Sequence, residues 1–543
     1  MSSGSVFSAN RRLILKSCAV AAITPLSGCC SRAFPVPEID SPPPTEYTKF
    51  LKPSRINKSV DAPKFCIDAH AHFFNASDVP VKGFLEGPVA HGLDEPLKGL
   101  VRALAPLADI LAGAAVTAKD EYQELIQLST GLAGMTKEQV QKGLAQEVES
   151  YKENQSKEIY KILQGTSFEE RYNLIQANNR SRNPRVTKDE YQRLSDVAIR
   201  NSVSLKRSKG YGLDEDYADG IVAFVFYMLS KRWVNLHTYT TAFSSRDTAF
   251  GVDSVYGALV DFDRWLDCPP RSSHEDQIRL HWLLSQLSDG YMRPLVAYNP
   301  WTDIEENGKS LQRALAAVDK YKFAGIKIYP PNGFLPHGNS DIADIHSCGT
   351  RPSGKELDRV LETFWEKCVL ERENPVPIMA HTAESMGCND DYEKLGGPPG
   401  WEPVLKLCMK WGKTPKINFG HFGGDTNPDP SVLHNKWTQE FAALMRRKEG
   451  RLLYGDLGIW TELRCNEVQS TRCNAAISRL KEVMSTKLND SEDISSRVMY
   501  GSDWLMLSKE RNWFEYPHEV ASSLKSIPNI GNVFGANADK FYS

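Results

Sequence analysis

The chain has no excess of basic residues: 65 Lys and Arg stand against 68 Asp and Glu over 543 positions, a formal net charge of -3. Without a basic footprint, neither nucleic acid nor an anionic membrane surface is an expected partner, and a small molecule is. Long hydrophobic runs are also missing. The longest apolar run beyond the N-terminal segment, 221–229, falls well short of the roughly 20 residues a spanning helix needs, and it reads as a buried helix. Cysteine patterns of metal spacing are absent too. Of 11 cysteines, Cys18, Cys29 and Cys30 lie near the N-terminus, and the other 8 form no CxxC or Cys-His cluster. Cys465 and Cys473 are the nearest pair, to be read either as a disulfide in an oxidising compartment or as buried thiols.

What is present is a set of polar residues at the ends of short β-like runs. Asp68-Ala69-His70-Ala71-His72 follows the apolar Phe65-Cys66-Ile67. Strand side chains alternate, so His70 and His72 point the same way. At the C-terminal end of the first strand of a parallel barrel, where active sites are built, two such imidazoles look like half a metal site. Three later runs end in His381, His421 and Asp503. A fourth, 324–329, carries Lys327 where alternation aims it inward, with Ile326 and Ile328 facing outward.

An HxH pair, a strand lysine, two further histidines and an aspartate, in that order, resemble the amidohydrolase superfamily of metal-dependent hydrolases. The phrases IDAHAHF, GIKIYP, IMAHTAE, INFGHFGG and MYGSDW, with the closing FGANA, are similar to its amidohydrolase-related branch, which includes aminocarboxymuconate semialdehyde decarboxylase. The likeness covers 62–75 and roughly 252 to the C-terminus. It implies a divalent metal, Zn2+ above others, held by His70, His72, His381 and Asp503. His421 then activates water or stabilises the developing oxyanion, and Asp503 doubles as the base that passes a proton to the leaving group. Lys327 has three readings: a carboxylated bridge between two metals, an ammonium that binds a substrate carboxylate, or a barrel-lining residue. One metal is therefore expected, and two if Lys327 is carboxylated. Asp261, His337, Glu384 and Trp504 are weaker pocket candidates, as are Asp263 and Asp456; His91, His237, His274, His281, His346, His434 and His518 have no ligand-like context.

The length exceeds the roughly 250 residues of one (β/α)8 barrel, so something is inserted or appended. Candidate strands at 64–72, 255–262, 293–298, 324–329, 377–381, 416–421, 452–456 and 497–503 alternate with amphipathic stretches at 277–287, 310–321, 356–371, 402–411 and 438–447. This pattern argues for an α/β fold, a closed parallel (β/α)8 TIM-like barrel of 61–75 plus 252–543 with a large helical insertion after strand 1. The insertion, 76–251, contains a Leu97, Leu100, Leu104, Leu107, Leu111 stripe interrupted by Pro106, helical composition over 119–161, a polar loop at 176–184 and an apolar helix over 217–233. It is expected to cap the barrel mouth, the alternative being a side domain for packing or oligomerisation.

Residues 1–30 read as an address. Asn10-Arg11-Arg12-Leu13-Ile14-Leu15-Lys16 resembles a bacterial twin-arginine signal, and Leu26-Ser27-Gly28-Cys29 resembles a lipobox with Cys29 as the acylated residue. The Pro-rich stretch 31–60 suits a tether, so the expected place is the periplasmic face of a membrane, reached only through the lipid anchor. The leading functional expectation is hydrolysis of an amide, ester or lactone bond in a small organic molecule by metal-activated water. The alternatives are nonoxidative decarboxylation or hydration of a small aromatic or muconate-like acid on the same cage, and a surface lipoprotein that binds without turnover. A homo-oligomer is compatible with all three.

Overall fold

The computed structural model describes residues 41–84, 112–165 and 223–543, apart from positions 44, 61, 114, 225, 248, 265, 267–269, 343–350, 425–435, 465–469 and 511. Short apolar runs, each ending in a polar or glycine-containing loop, form eight parallel strands paired in chain order. They are β1 (Ile67–Ala71), β2 (Ser254–Ala258), β3 (Met292–Ala297), β4 (Gly325–Ile328), β5 (Ile378–His381), β6 (Ile417–Gly420), β7 (Leu453–Asp456) and β8 (Val498–Met499). Each overlaps its expected stretch; β2 and β8 end earlier than expected. Backbone bonds beyond β8 close the barrel onto β1. Ala69 donates to the Tyr500 carbonyl at 2.9 Å, Asp503 to His70 at 2.7 Å and His72 to Trp504 at 2.6 Å.

The longer helices are α1 (Ala118–Gly131), α2 (Lys137–Gly165), α3 (Arg232–Thr240), α4 (His274–Leu287), α5 (Lys309–Asp319), α6 (Gly354–Trp365), α7 (Trp401–Lys410), α8 (Trp437–Met445), α9 (Ser470–Met484), α10 (Tyr516–Leu524) and α11 (Ala536–Tyr542). Those between strands put their apolar stripes on the sheet, and α4 and α6 begin at side-chain caps, Ser273 and Ser353. In α6, Ser353 accepts from the Glu356 amide while the Glu356 side chain reaches back to the cap, a capping box. Inside the barrel, Ile67, Ala69, Tyr256, Leu295, Met379 and Tyr454 form a separate apolar cluster. The last helix seals it at the end away from the loops: Phe541 joins the cluster and Tyr542 stacks on Tyr256 at 3.7 Å.

Among its described residues, the insertion contributes α1, α2 and α3. α1 packs along α4. The stretch of helical composition over 119–161 forms two helices, separated near Gly134, whose φ of +83° suits glycine. The expected helix over 217–233 likewise breaks at Ser230 before α3 begins. Residues within the expected tether also pack: Phe50 and Leu51 are buried, and Leu51 donates to the Leu287 carbonyl at 3.0 Å. The leader with Cys29, the leucine stripe and the 176–184 loop lie outside the described residues. Cys66, Cys368 and Cys408 are buried free thiols. The pairing of Cys473 with Cys465 falls on a residue outside the described set, whereas Cys388, for which no bridge was expected, is disulfide-bonded.

Candidate metal centre

A bulge in β1 aims the two leading imidazoles. The β1–β2 register shifts between Asp68 and Ala71, so Ile67 and Ala69 face the interior cluster while Asp68 turns outward to the Tyr239 hydroxyl of α3, at 2.6 Å. Bulges of this kind re-aim side chains beside active sites. Asp68 is a complete anchor, accepting from His70 and Ser502 amides at 3.1 and 3.0 Å and from the Ser502 hydroxyl at 2.5 Å. Burial pushes its carboxyl up to about 7 despite these donors.

His70 and His72 both reach the barrel mouth, each fixed through its outer nitrogen. His70 Nδ1 lies 3.0 Å from Asp456 Oδ1 and His72 Nδ1 2.8 Å from the Ala258 carbonyl. Both partners only accept, so both Nδ1 atoms donate and the two Nε2 atoms face the site. There, His72 Nε2 stands 3.2 Å and His70 Nε2 3.7 Å from Asp503 Oδ1. The ligand atoms of His70, His72 and Asp503 lie within 4.8 Å of one another, and all three residues are buried. An imidazole nitrogen aimed at a carboxylate oxygen needs either a second proton or a cation between them. A divalent ion satisfies all three groups at once, and the anchored outer nitrogens are what metal-ligating histidines ordinarily show.

The electrostatics separate acids from bases. Burial alone would raise Asp503, but the imidazoles of His72, His70 and His421 outweigh it and hold the carboxylate well below its ordinary range. Burial lowers His70 to about 4, with the Lys327 ammonium adding to the effect and Asp456 opposing it. Lys327 is 1% exposed, and its Nζ is 3.3 Å from His70 Nε2. Burial brings it down to about 8 against the pull of Asp456 and Asp503.

His381 and His421 form a pair behind this group. His421 Nε2 is 2.9 Å from His381 Nδ1, while His421 Nδ1 contacts the Gly458 carbonyl at 2.9 Å and His381 Nε2 contacts Ser385 Oγ at 3.1 Å. Since His421 Nδ1 must donate to that carbonyl, the shared proton sits on His381 Nδ1. Burial keeps both rings below the ordinary imidazole range, and His421 and the Lys327 ammonium lower His381 further. Tyr329 stacks on His381 at 4.3 Å. His381 is thus engaged by protein groups at both ring nitrogens, as His70 is through Asp456 and Lys327.

The weaker candidates scatter. Trp504 is wholly buried in an aromatic wall with Phe73, Tyr227, Tyr239 and Trp513. His337 and Glu384 are half-buried in the loops after β4 and β5. Asp261 accepts from Thr302 Oγ1 at 3.0 Å. His274, given no role from sequence, stands between Asp263 and Asp261, its Nε2 3.0 and 3.6 Å from their carboxylates. The fold brings the start of α4 back over the end of β2, a contact hidden by an eleven-residue separation. Burial opposes the His274 charge, but the two carboxylates raise it to about 9, so its proton already offsets their repulsion.

No protein-family model matches the chain, and no curated protein matches it. Solved structures similar to it include a probable 2-pyrone-4,6-dicarboxylic acid hydrolase from Acinetobacter baumannii with citric acid bound, at 11% identity and a TM-score of 0.29, over 54% of this chain and 84% of that one. A 2,6-dihydroxybenzoate decarboxylase complexed with 2,6-dihydroxybenzoate matches at 12% identity and 0.27 over 54% and 84%. A 2,6-dihydroxybenzoate decarboxylase from Rhizobium matches at 12% identity and 0.29 over 61% and 93%.

Proposed function

We propose that the chain is a metal-dependent enzyme of the amidohydrolase superfamily, and that it hydrolyses an amide, ester or lactone bond of a small organic molecule. The observation that carries this reading is the convergence of His70 Nε2, His72 Nε2 and Asp503 Oδ1 at the barrel mouth, with both outer imidazole nitrogens anchored. These three residues would hold the ion, with His381 as the candidate fourth ligand. A bound divalent ion supplies Lewis acidity there: it lowers the pKa of a coordinated water from 15.7 toward roughly 7 and polarises an acyl oxygen.

The chain's own groups supply the rest. Asp503, kept anionic by three imidazoles, is the acceptor for a proton from water and can return it to a leaving group. His421 is neutral and, through His381, tied to Ser385, so its ring is held in one orientation beside the carboxylate. Lys327 enters as the cation nearest the ligand set, suited to a carboxylate on the substrate. Burial of the whole group excludes bulk water and strengthens each of these interactions.

For location we propose export and attachment through Cys29. The disulfide at Cys388 supports an oxidising compartment, and among the described residues no helix is long and apolar enough to cross a membrane. The insertion is proposed to shape the pocket from the mouth side.

Metal per chain, measured by mass spectrometry on native protein with His70→Ala and Lys327→Ala beside it, tests the centre. One ion lost in His70→Ala and kept in Lys327→Ala supports a mononuclear site, whereas two ions falling to one without the lysine support a bridged site. No metal in any form would refute the enzyme reading. A substrate panel scored for released acid and for released CO2 then separates hydrolysis from decarboxylation, and Asp503→Asn must abolish whichever turnover is found.

A further inference from the structure

We propose that Asp456, at the end of β7, is the positioning residue of the metal centre: one carboxylate fixes the tautomer of His70 and the placement of His421. The inference rests on the metal reading above and adds a residue to it. Asp456 is fully buried and uses both oxygens. Oδ1 accepts from His70 Nδ1 at 3.0 Å, from the His421 amide at 3.0 Å and from the Gly458 amide at 2.9 Å; Oδ2 accepts from Asn418 Nδ2 at 2.7 Å.

Each contact has a consequence for the site. A neutral imidazole has one proton, and the Asp456 carboxylate draws it to Nδ1, which leaves the Nε2 lone pair turned toward His72 and Asp503. His421 has a φ of +68°, a left-handed conformation unfavourable for a side chain with a Cβ, and its amide is held there by the same oxygen. Gly458 completes the circuit, since its amide donates to Asp456 while its carbonyl accepts from His421 Nδ1. A Cβ at Gly458 would stand 2.8 Å from His70 Nδ1 and 3.0 Å from Asp456 Oδ1, so only glycine admits this three-way junction. Asp456 acts through the two histidines, since its oxygens are taken up by His70, the His421 and Gly458 amides and Asn418.

The test is Co2+ titration of chelator-stripped protein, read by visible absorption and by competition with a chelator. Asp456→Asn keeps the size of the side chain and removes its charge. The expected result is a 10- to 100-fold weaker Co2+ affinity and an altered absorption band in a protein that still folds. An aspartate that served only stability would lower the unfolding midpoint and leave the affinity and spectrum of the folded fraction unchanged, and that result would overturn the inference. If Asp456→Asn does not fold, Gly458→Ala keeps both partners and pries them apart: weaker Co2+ binding supports the inference and unchanged binding overturns it. A wild type that takes up no Co2+ overturns the metal reading itself, while strong wild-type binding that both variants share overturns this inference alone.

Discussion

Replacing Arg232 by methionine should destabilise the protein severely, because its fully buried guanidinium joins separated pieces of chain. Its Nε donates to Asp78 Oδ2 at 2.9 Å, and Nη2 bonds Asp78 Oδ1. Nη1 reaches Glu121 Oε2 at 3.0 Å and the Val116 carbonyl at 2.9 Å. Nη2 also contacts Ser77 Oγ at 2.8 Å and Ser272 Oγ at 3.2 Å. Arg232, Asp78 and Glu121 have side chains that are 0% exposed. Removing one partner of such a buried group costs about 3–5 kcal/mol, since the remaining charges are stranded. The loss stays in that range because each carboxylate keeps a backbone donor, Asn75 to Asp78 at 3.0 Å and Trp233 to Glu121 at 2.9 Å. With a urea slope of about 3 kcal/mol/M, the unfolding midpoint followed by tryptophan fluorescence should fall by about 1–2 M. The deficit should shrink as pH falls from 7 to 5, because a stranded carboxylate relieves itself by taking a proton, and burial already raises Glu121. A midpoint equal to the wild type at pH 7, or a deficit that grows on acidification, would refute the reasoning.

His274→Leu should show the opposite pH dependence. The imidazole is raised from 6.5 to about 9, so its contribution of about 3 kcal/mol is complete below pH 6.5 and disappears as pH rises through 9; urea melts at pH 6 and pH 10 should differ accordingly. Tyr239→Phe removes one of four donors to the outward-facing Asp68 and should cost about 1–2 kcal/mol, checked by the same melts, with no change in metal content. Stripping the metal should lower the melting temperature in a way that titrates back with Zn2+, since an ion present at 1,000 times its Kd adds about 4 kcal/mol to the folded state; a melting temperature indifferent to both chelator and Zn2+ would count against the centre.

The barrel was legible because each strand is a short apolar run with a polar residue near its end: His72, His381 and His421 lie at strand ends, His70 and Lys327 one residue inside β1 and β4, and Asp503 in the loop after β8. Alternation correctly put His70 beside His72. Strict alternation would also have put Asp68 with them, and the register shift in β1 sends it the other way. Asp456 was visible only as one polar strand end among several, since nothing local in its sequence reveals that His70, the His421 amide and Gly458 converge on it. His274 and the Arg232 cluster were hidden for the same reason, each depending on partners brought in from other elements. The breaks at Gly134 and Ser230 show where helical composition extended across a turn that the backbone takes.

The two-residue β8 has a mechanical consequence. Past Met499 the barrel is closed by three backbone hydrogen bonds and by the Ser502–Asp68 pair; two of the backbone bonds involve His70 and His72, and one of these is donated by Asp503. The fault line of the cylinder therefore runs through the candidate coordination sphere. An ion gripped from both banks would act as a rivet across it, and any thermal parting of the cylinder would begin by pulling imidazoles and carboxylate away from each other. In such a molecule, loss of the ion and the first breath of unfolding are one event, visible as simultaneous exchange of the Ala69, His72 and Asp503 amides.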